Sequence, residues 1–130
     1  MTDPGVDPGL IRPGAITYLH ISAPEPAASA AFYREVFGWR IQDPQGRRPS
    51  FEVPGGGLSG AFLVDHPPAA EPGLLPYVYV DDVDGAVERI RAHGGRIVTE
   101  PFPEGRLVVA VFHDPAGNAV GLWHDTDQDR

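Results

Sequence analysis

The chain contains no cysteine, which excludes disulfide frameworks, cysteine nucleophiles and thiolate metal sites. It contains no lysine either: all ten basic residues are arginines, so Schiff-base and lysine general-base chemistry are removed. No apolar run approaches the roughly 18 residues of a membrane-spanning helix. Positive charge is scarce, with ten basic against eighteen acidic residues and a formal net charge of -8. That is the opposite of the basic footprint of a nucleic-acid binder or of a protein held on an anionic membrane. At 130 residues there is room for one modest domain, or two very small modules sharing a core, but not for separate cofactor and substrate domains. Nucleophile elbows, phosphate-binding loops and dinucleotide fingerprints are missing, and Gly55-Gly56-Gly57, without a lysine or a following helix, reads as a flexible hairpin. The first residues have no cationic start followed by an apolar stretch, so they do not read as a signal peptide, and a cytoplasmic location is expected.

What is present is a 42% hydrophobic sequence, enough to bury a core. Residues 1–14 are proline-bearing, without apolar periodicity, and are expected to form a flexible segment. Residues 16–22 read as a strand whose alternation puts Tyr18 and His20 on one face and Leu19 and Ile21 on the other. Residues 27–37 are rich in helix formers, with Phe32/Val36 and Tyr33/Phe37 four apart and Gly38 as the stop. Strands are expected at 39–41, 50–53 and 58–64, the last weakened by Gly60, which also lets a neighbour or ligand approach closely. Residues 66–74 form a proline-rich linker.

The second half repeats this order. A strand over 75–80 precedes Asp81 to Asp84, whose carboxylates suit a helix N-terminus better than a calcium site. Val83, Ala86, Val87 and Ile90 form one stripe of a helix ending near Gly94. Strands follow at 95–99, 106–112 and 119–124, with a turn expected over Pro101 to Gly105 and another over Asp114 to Gly117. Laying Gly38-Trp39-Arg40-Ile41 over Gly94-Gly95-Arg96-Ile97 aligns the halves as an internal duplication. The predicted class is α+β, with module one at 15–65, module two at 75–125 and a tail at 126–130.

The run Ala30-Ala31-Phe32-Tyr33-Arg34-Glu35-Val36-Phe37-Gly38-Trp39, then Val80-Asp81-Asp82-Val83-Asp84, then Asp114-Pro115-Ala116-Gly117-Asn118 leading to Gly121-Leu122-Trp123, resembles the glyoxalase, bleomycin-resistance and extradiol-dioxygenase (vicinal oxygen chelate) superfamily. The resemblance covers about residues 15 to 125 and implies paired βαβββ modules whose curled mixed sheets form a cleft or small barrel, often in a homodimer. It also implies a divalent metal held by His or Glu on the first and last strand of each module. Those positions fall on Tyr18, on one of Gly60, Ala61 or Phe62, on Leu75 and on Gly121, none a conventional ligand. No metal and no cofactor are therefore expected.

His20, sharing a face with Tyr18, is the candidate for acid–base or ligand contact, since imidazole titrates near neutrality; a hydrogen-bonded structural histidine is the bland alternative. Tyr77 and Tyr79 share a face suited to an apolar ligand with a few polar atoms, and equally to a core or dimer interface. Trp123, two residues from Gly121, offers a stacking surface or fills volume. Phe62 belongs to the same argument, and Glu52 either supplies a counter-charge to a cation or faces solvent. His66, His93, His113 and His124 are scattered and not spaced as a helical zinc pair. The function expected is metal-independent binding of a small organic molecule. The alternatives are a lyase or isomerase using His20 or relocated metal ligands, a drug-sequestering protein of the bleomycin-resistance type, and a structural dimer without a ligand.

Overall fold

The computed structural model describes residues 8–13, 15–65, 67–68 and 73–129. His66, most of the expected N-terminal segment and much of the expected linker lie outside the described residues. The chain divides into two compact units, residues 1–66 and 67–130, and each contains one βαβββ module.

Module one runs β1 (Tyr18–Ser22), α1 (Pro26–Phe37), β2 (Arg40–Gln42), β3 (Ser50–Glu52) and β4 (Ser59–Leu63). Pro26 lies in the first turn of α1, where its missing N–H costs nothing, and Gly38 ends the helix in the left-handed conformation at φ 74°. The sheet order is β1-β4-β3-β2, with β1 parallel to β4 and the other pairs antiparallel. Alternation sends Phe51 and Phe62 to the face under α1, where Phe32, Tyr33 and Val36 are buried. There Tyr33 stacks on Trp39 at 4.5 Å, Trp39 on Phe51 at 4.6 Å, and Phe62 lies 5.8 Å from Tyr33. Glycine is required at position 60, because a Cβ would run into the Leu19 carbonyl oxygen and the Phe51 ring. The close approach expected there is made by the chain's own core.

Module two runs β5 (Tyr77–Tyr79), α2 (Val83–Ala92), β6 (Arg96–Glu104), β7 (Leu107–His113) and β8 (Ala119–Asp125), in the order β5-β8-β7-β6 with β5 parallel to β8. Asp82 caps α2, its side chain accepting from the Gly85 N–H at 3.1 Å. Val83, Ala86, Val87 and Ile90 are buried, as are Ala110, Phe112 and Leu122 of the sheet. The β7–β8 hairpin is closed by Asp114, whose Oδ1 accepts from the N–H groups of Ala116 and Asn118 at 3.0 and 2.9 Å, while Oδ2 accepts from the Asn118 amide at 3.0 Å. Short 3₁₀ helices occupy Pro8–Leu10 and Thr126–Asp129. No helix among the described residues is long and apolar enough to cross a membrane.

Two expectations are corrected. The sheets do not curl into a cleft or small barrel: the strands form two open four-stranded sheets, the first ending at β1 and β2 and the second at β5 and β6. Closure needs the outer strands of a sheet to pair, and β2 and β5 are only three residues long. The turn expected over Pro101 to Gly105 is instead part of β6, which continues to Glu104. As an edge strand β6 tolerates prolines that cannot donate to a ladder, and its register shifts at two places, between Ile97 and Thr99 and between Thr99 and Phe102.

Candidate functional site

Each sheet has one face under its helix and one turned away from it. In module two the register builds the outer face row by row. Tyr77 pairs with Gly121, which pairs with Val111, which pairs with Thr99; one step along, Tyr79, Trp123, Val109 and Phe102 form the next row. Side chains at paired positions share a face, so these rows are a continuous apolar and aromatic surface. Tyr77 is 48% exposed, Tyr79 42% and Phe102 41%. Tyr79 meets Trp123 edge to face at 4.7 Å. The Tyr77 ring lies across Gly121, where a Cβ would come within 2.9 Å of Tyr77 Cγ and still closer to the ring's Cδ2 and Cε2. The structure thus brings Tyr77, Tyr79 and Trp123 together, as alternation predicted.

In module one the outer face carries Tyr18, His20 and, through the register, Ser59, Ala61, Ser50 and Glu52. Tyr18 is half exposed and packs edge-on against the exposed His20 at 5.4 Å. Arg48 Nη2 lies 3.2 Å from His20 Nε2. A guanidinium can only donate, so Nε2 is the acceptor and the ring proton sits on Nδ1. The lone pair that a general base would use is therefore engaged. Glu52 shares the face, but its carboxylate is bound to Arg40 at 3.2 Å. Beside that pair a concavity of about 380 Å³ is lined by Gly38, Val53, Pro54, Gly55 and Gly56; none of the aromatic candidates reaches it. Phe62 is fully buried on the opposite, helix-facing side, between Tyr33 and Phe51.

Three groups near these faces carry no motif in the sequence. Arg96 Nη2 lies 3.0 Å from His113 Nδ1 on adjacent strands. Arg48 comes from the loop before β3 and meets His20 only through the fold. His124, buried at the end of β8, has Nδ1 2.9 Å from the Val80 carbonyl and Nε2 2.8 Å from the Asp129 carboxylate. The Val80 carbonyl and the Asp129 carboxylate can only accept, so both ring nitrogens donate and the imidazolium is the satisfied form; the Tyr79 hydroxyl is a third, longer contact of Nδ1 at 3.4 Å. Its pKa is accordingly raised above 6.5, chiefly by the Asp129 hydrogen bond, with help from the Val80 carbonyl and the charges of Asp129 and Asp125, and against the opposing effect of burial.

The donor set can be tested against a divalent metal. The outer faces of the paired first and last strands present phenols, two serine hydroxyls, one imidazole, an indole and otherwise glycine, alanine or leucine. The carboxylate of Asp125, next along β8, is bound to Arg106 at 3.1 Å. Among the described residues no three His, Asp or Glu side chains gather to hold a metal ion. This set does not fit a metal that wants three or more N or O donors.

Over residues 15–122 the chain matches the glyoxalase/bleomycin resistance protein/dioxygenase superfamily. It is 33% identical over 127 residues to CFP32 of Mycobacterium tuberculosis, which carries a glyoxylase name, covering 86% of this chain and 46% of CFP32. It is 31% identical over 131 aligned residues to the anthracycline biosynthesis protein DnrV of Streptomyces peucetius, covering 85% of this chain and 47% of DnrV. The chain thus spans about half the length of these curated relatives. Among solved structures it is similar in fold to TnmS3, an antibiotic binding protein from Streptomyces sp. CB03234, with a TM-score of 0.65 at 23% identity over 86% of this chain and 96% of that one. A glyoxalase/bleomycin resistance protein/dioxygenase family enzyme from Burkholderia phytofirmans gives a TM-score of 0.68 at 19% identity over 85% and 99%. With the family match covering most of the sequence and the βαβββ unit present twice, the chain belongs to the glyoxalase, bleomycin-resistance protein and dioxygenase superfamily.

Proposed function

We propose that this protein binds a small, largely apolar organic molecule with a planar aromatic portion, without a metal, on the outer face of module two. The observation that carries this reading is the pair of adjacent rows holding Tyr77, Tyr79 and Trp123, which share a face that the module's own helix does not cover, with Tyr79 and Trp123 in ring contact. Aromatic side chains with a polar tip hold such ligands by stacking while satisfying a few polar atoms. The naming of TnmS3 as an antibiotic binding protein and of DnrV for anthracycline biosynthesis supports the same ligand class. Tyr18 and His20 supply a smaller aromatic surface in module one. A catalytic role for His20 would require Arg48 to leave its Nε2, so binding is favoured over acid–base turnover. A homodimer belongs to this reading: relatives about twice as long have room for two such lengths of chain, and native mass spectrometry checks it. With a net charge of -8, no nucleic acid is proposed as a partner.

The test is a fluorescence titration with N-phenyl-1-naphthylamine, an uncharged planar aromatic. Trp39 is buried in the core of module one, so quenching at the outer face reports Trp123. Saturable quenching of the parent is expected, and the probe's own emission, which does not depend on the indole as reporter, should show weakened binding in Trp123→Ala. No saturable binding, or binding indifferent to Trp123, overturns the reading.

A further inference from the structure

The internal duplication provides a control for the charges on the two outer faces. Arg40 and Arg96 occupy equivalent positions, each at the start of the second strand of its module. The cross-strand partner of Arg40 is Glu52, and the two form an ion pair at 3.2 Å. The cross-strand partner of Arg96 is His113, which offers only a nitrogen lone pair, at 3.0 Å. Arg96 makes no ion pair among the described residues, and it is exposed. The neighbouring carboxylate, Asp114, is turned into its own turn and accepts from Ala116 and Asn118. Among the described residues of a chain with a net charge of -8, this guanidinium therefore has no ion-pair partner at one end of its aromatic face.

The position of that charge is informative. The Arg96–His113–Ala119 row lies next to the Thr99–Val111–Gly121–Tyr77 row, about 7 Å along the strands, and beyond that comes the row of Trp123 and Tyr79. At the far end Asp125 and Glu104 turn the face acidic, with Asp125 already bound to Arg106. The face thus runs from cationic through aromatic to acidic. A guanidinium with five donors in a planar fork is the side chain best suited to a carboxylate, sulfonate or phosphate.

We propose that the ligand of module two carries an acidic group, held by Arg96 beside His113, with its planar body lying against Tyr77, whose ring covers Gly121, and Trp123. This rests on the ligand-binding reading above and adds the class of ligand: planar organic anions in preference to neutral or cationic aromatics.

The experiment compares 1-anilinonaphthalene-8-sulfonate with its uncharged relative N-phenyl-1-naphthylamine, both titrated into the full chain and into Arg96→Gln, Trp123→Ala and, as a charge-matched control, Arg91→Gln. Arg91 is on α2 and paired with Glu100. The sulfonate is expected to bind the parent protein about tenfold more tightly or better, the worth of one charge-assisted contact. Arg96→Gln should remove that preference, Arg91→Gln should keep it, and Trp123→Ala should weaken both probes. No preference in the parent, or a preference that survives Arg96→Gln while Trp123→Ala still weakens both probes, overturns the anionic ligand and leaves the aromatic site standing. If neither probe binds, or binding ignores Trp123, the aromatic site fails and the anionic ligand with it.

Discussion

Gly60→Ala adds one methyl group at the centre of the β1–β4 pair, where its two obstacles cannot yield. One is the Leu19 carbonyl oxygen, a backbone atom of the register partner, so relief requires β1 and β4 to part in the middle of their ladder. The other is the ring of Phe51, itself held between Trp39 at 4.6 Å and Phe62 at 5.2 Å. Overpacking of a filled core costs about 1–3 kcal/mol, and two fixed obstacles place this site at the upper end, about 3 kcal/mol. The reduced freedom of alanine in the unfolded chain returns about 0.4–1 kcal/mol, leaving a net loss of about 2–3 kcal/mol. For a domain of this size that lowers the melting temperature by about 10 °C. Gly121→Ala is the control, because its obstacle is the half-exposed Tyr77 ring on an edge strand, free to swing into solvent. It should cost about 1 kcal/mol, and nothing in a Tyr77→Ala background. Urea unfolding followed by tryptophan fluorescence reads both modules, since Trp39 reports one and Trp123 the other. A Gly60→Ala protein within about 0.5 kcal/mol of the parent, or a Gly121→Ala loss undiminished without the Tyr77 ring, would refute this account of the two glycines.

Three further outcomes are expected. Because the folded pKa of His124 lies above its unfolded value, near 6.5, its contribution to stability is fully present below that value and is lost as pH rises through the folded pKa. The stability gap between the parent and His124→Gln should therefore shrink in thermal melts as the pH is raised above about 6.5, and a gap that widens would contradict the double-donor assignment. Asp114→Ala leaves the N–H groups of Ala116 and Asn118 without their acceptor and should cost about 2–3 kcal/mol in urea unfolding; a loss below about 0.5 kcal/mol would show that water replaces the carboxylate. Phe62→Ala should cost about 3–5 kcal/mol while leaving naphthylamine affinity of the folded protein unchanged, and a specific loss of affinity would return Phe62 to the binding surface.

The parts of this molecule legible in its sequence are those governed by local rules. Alternation over residues 75–80 and 119–124 placed Tyr77, Tyr79 and Trp123 on matching faces, and the register joins them because β5 and β8 pair in parallel. Gly38 and Asp82 declared the ends of the two helices through the conformations and caps they favour. The register of β4 was not legible, since Gly60, Ala61 and Phe62 form a run of small and apolar residues that either face could accept. Packing against Tyr33 and Phe51 decided it, taking Phe62 into the core and leaving Ala61 opposite His20. Sheet closure was equally invisible, because it depends on which strands stay at an edge, and β6 with its two prolines reads as turn in isolation yet serves as an edge. The charge on the outer face lay between these cases. The aligned Arg40 and Arg96 were already visible in the repeat; what differed was the residue across the strand, Glu52 in one module and His113 in the other. Duplication fixes the scaffold of both halves, and a substitution at a paired position then separates an arginine neutralised across its strand pair from one that has no ion-pair partner among the described residues.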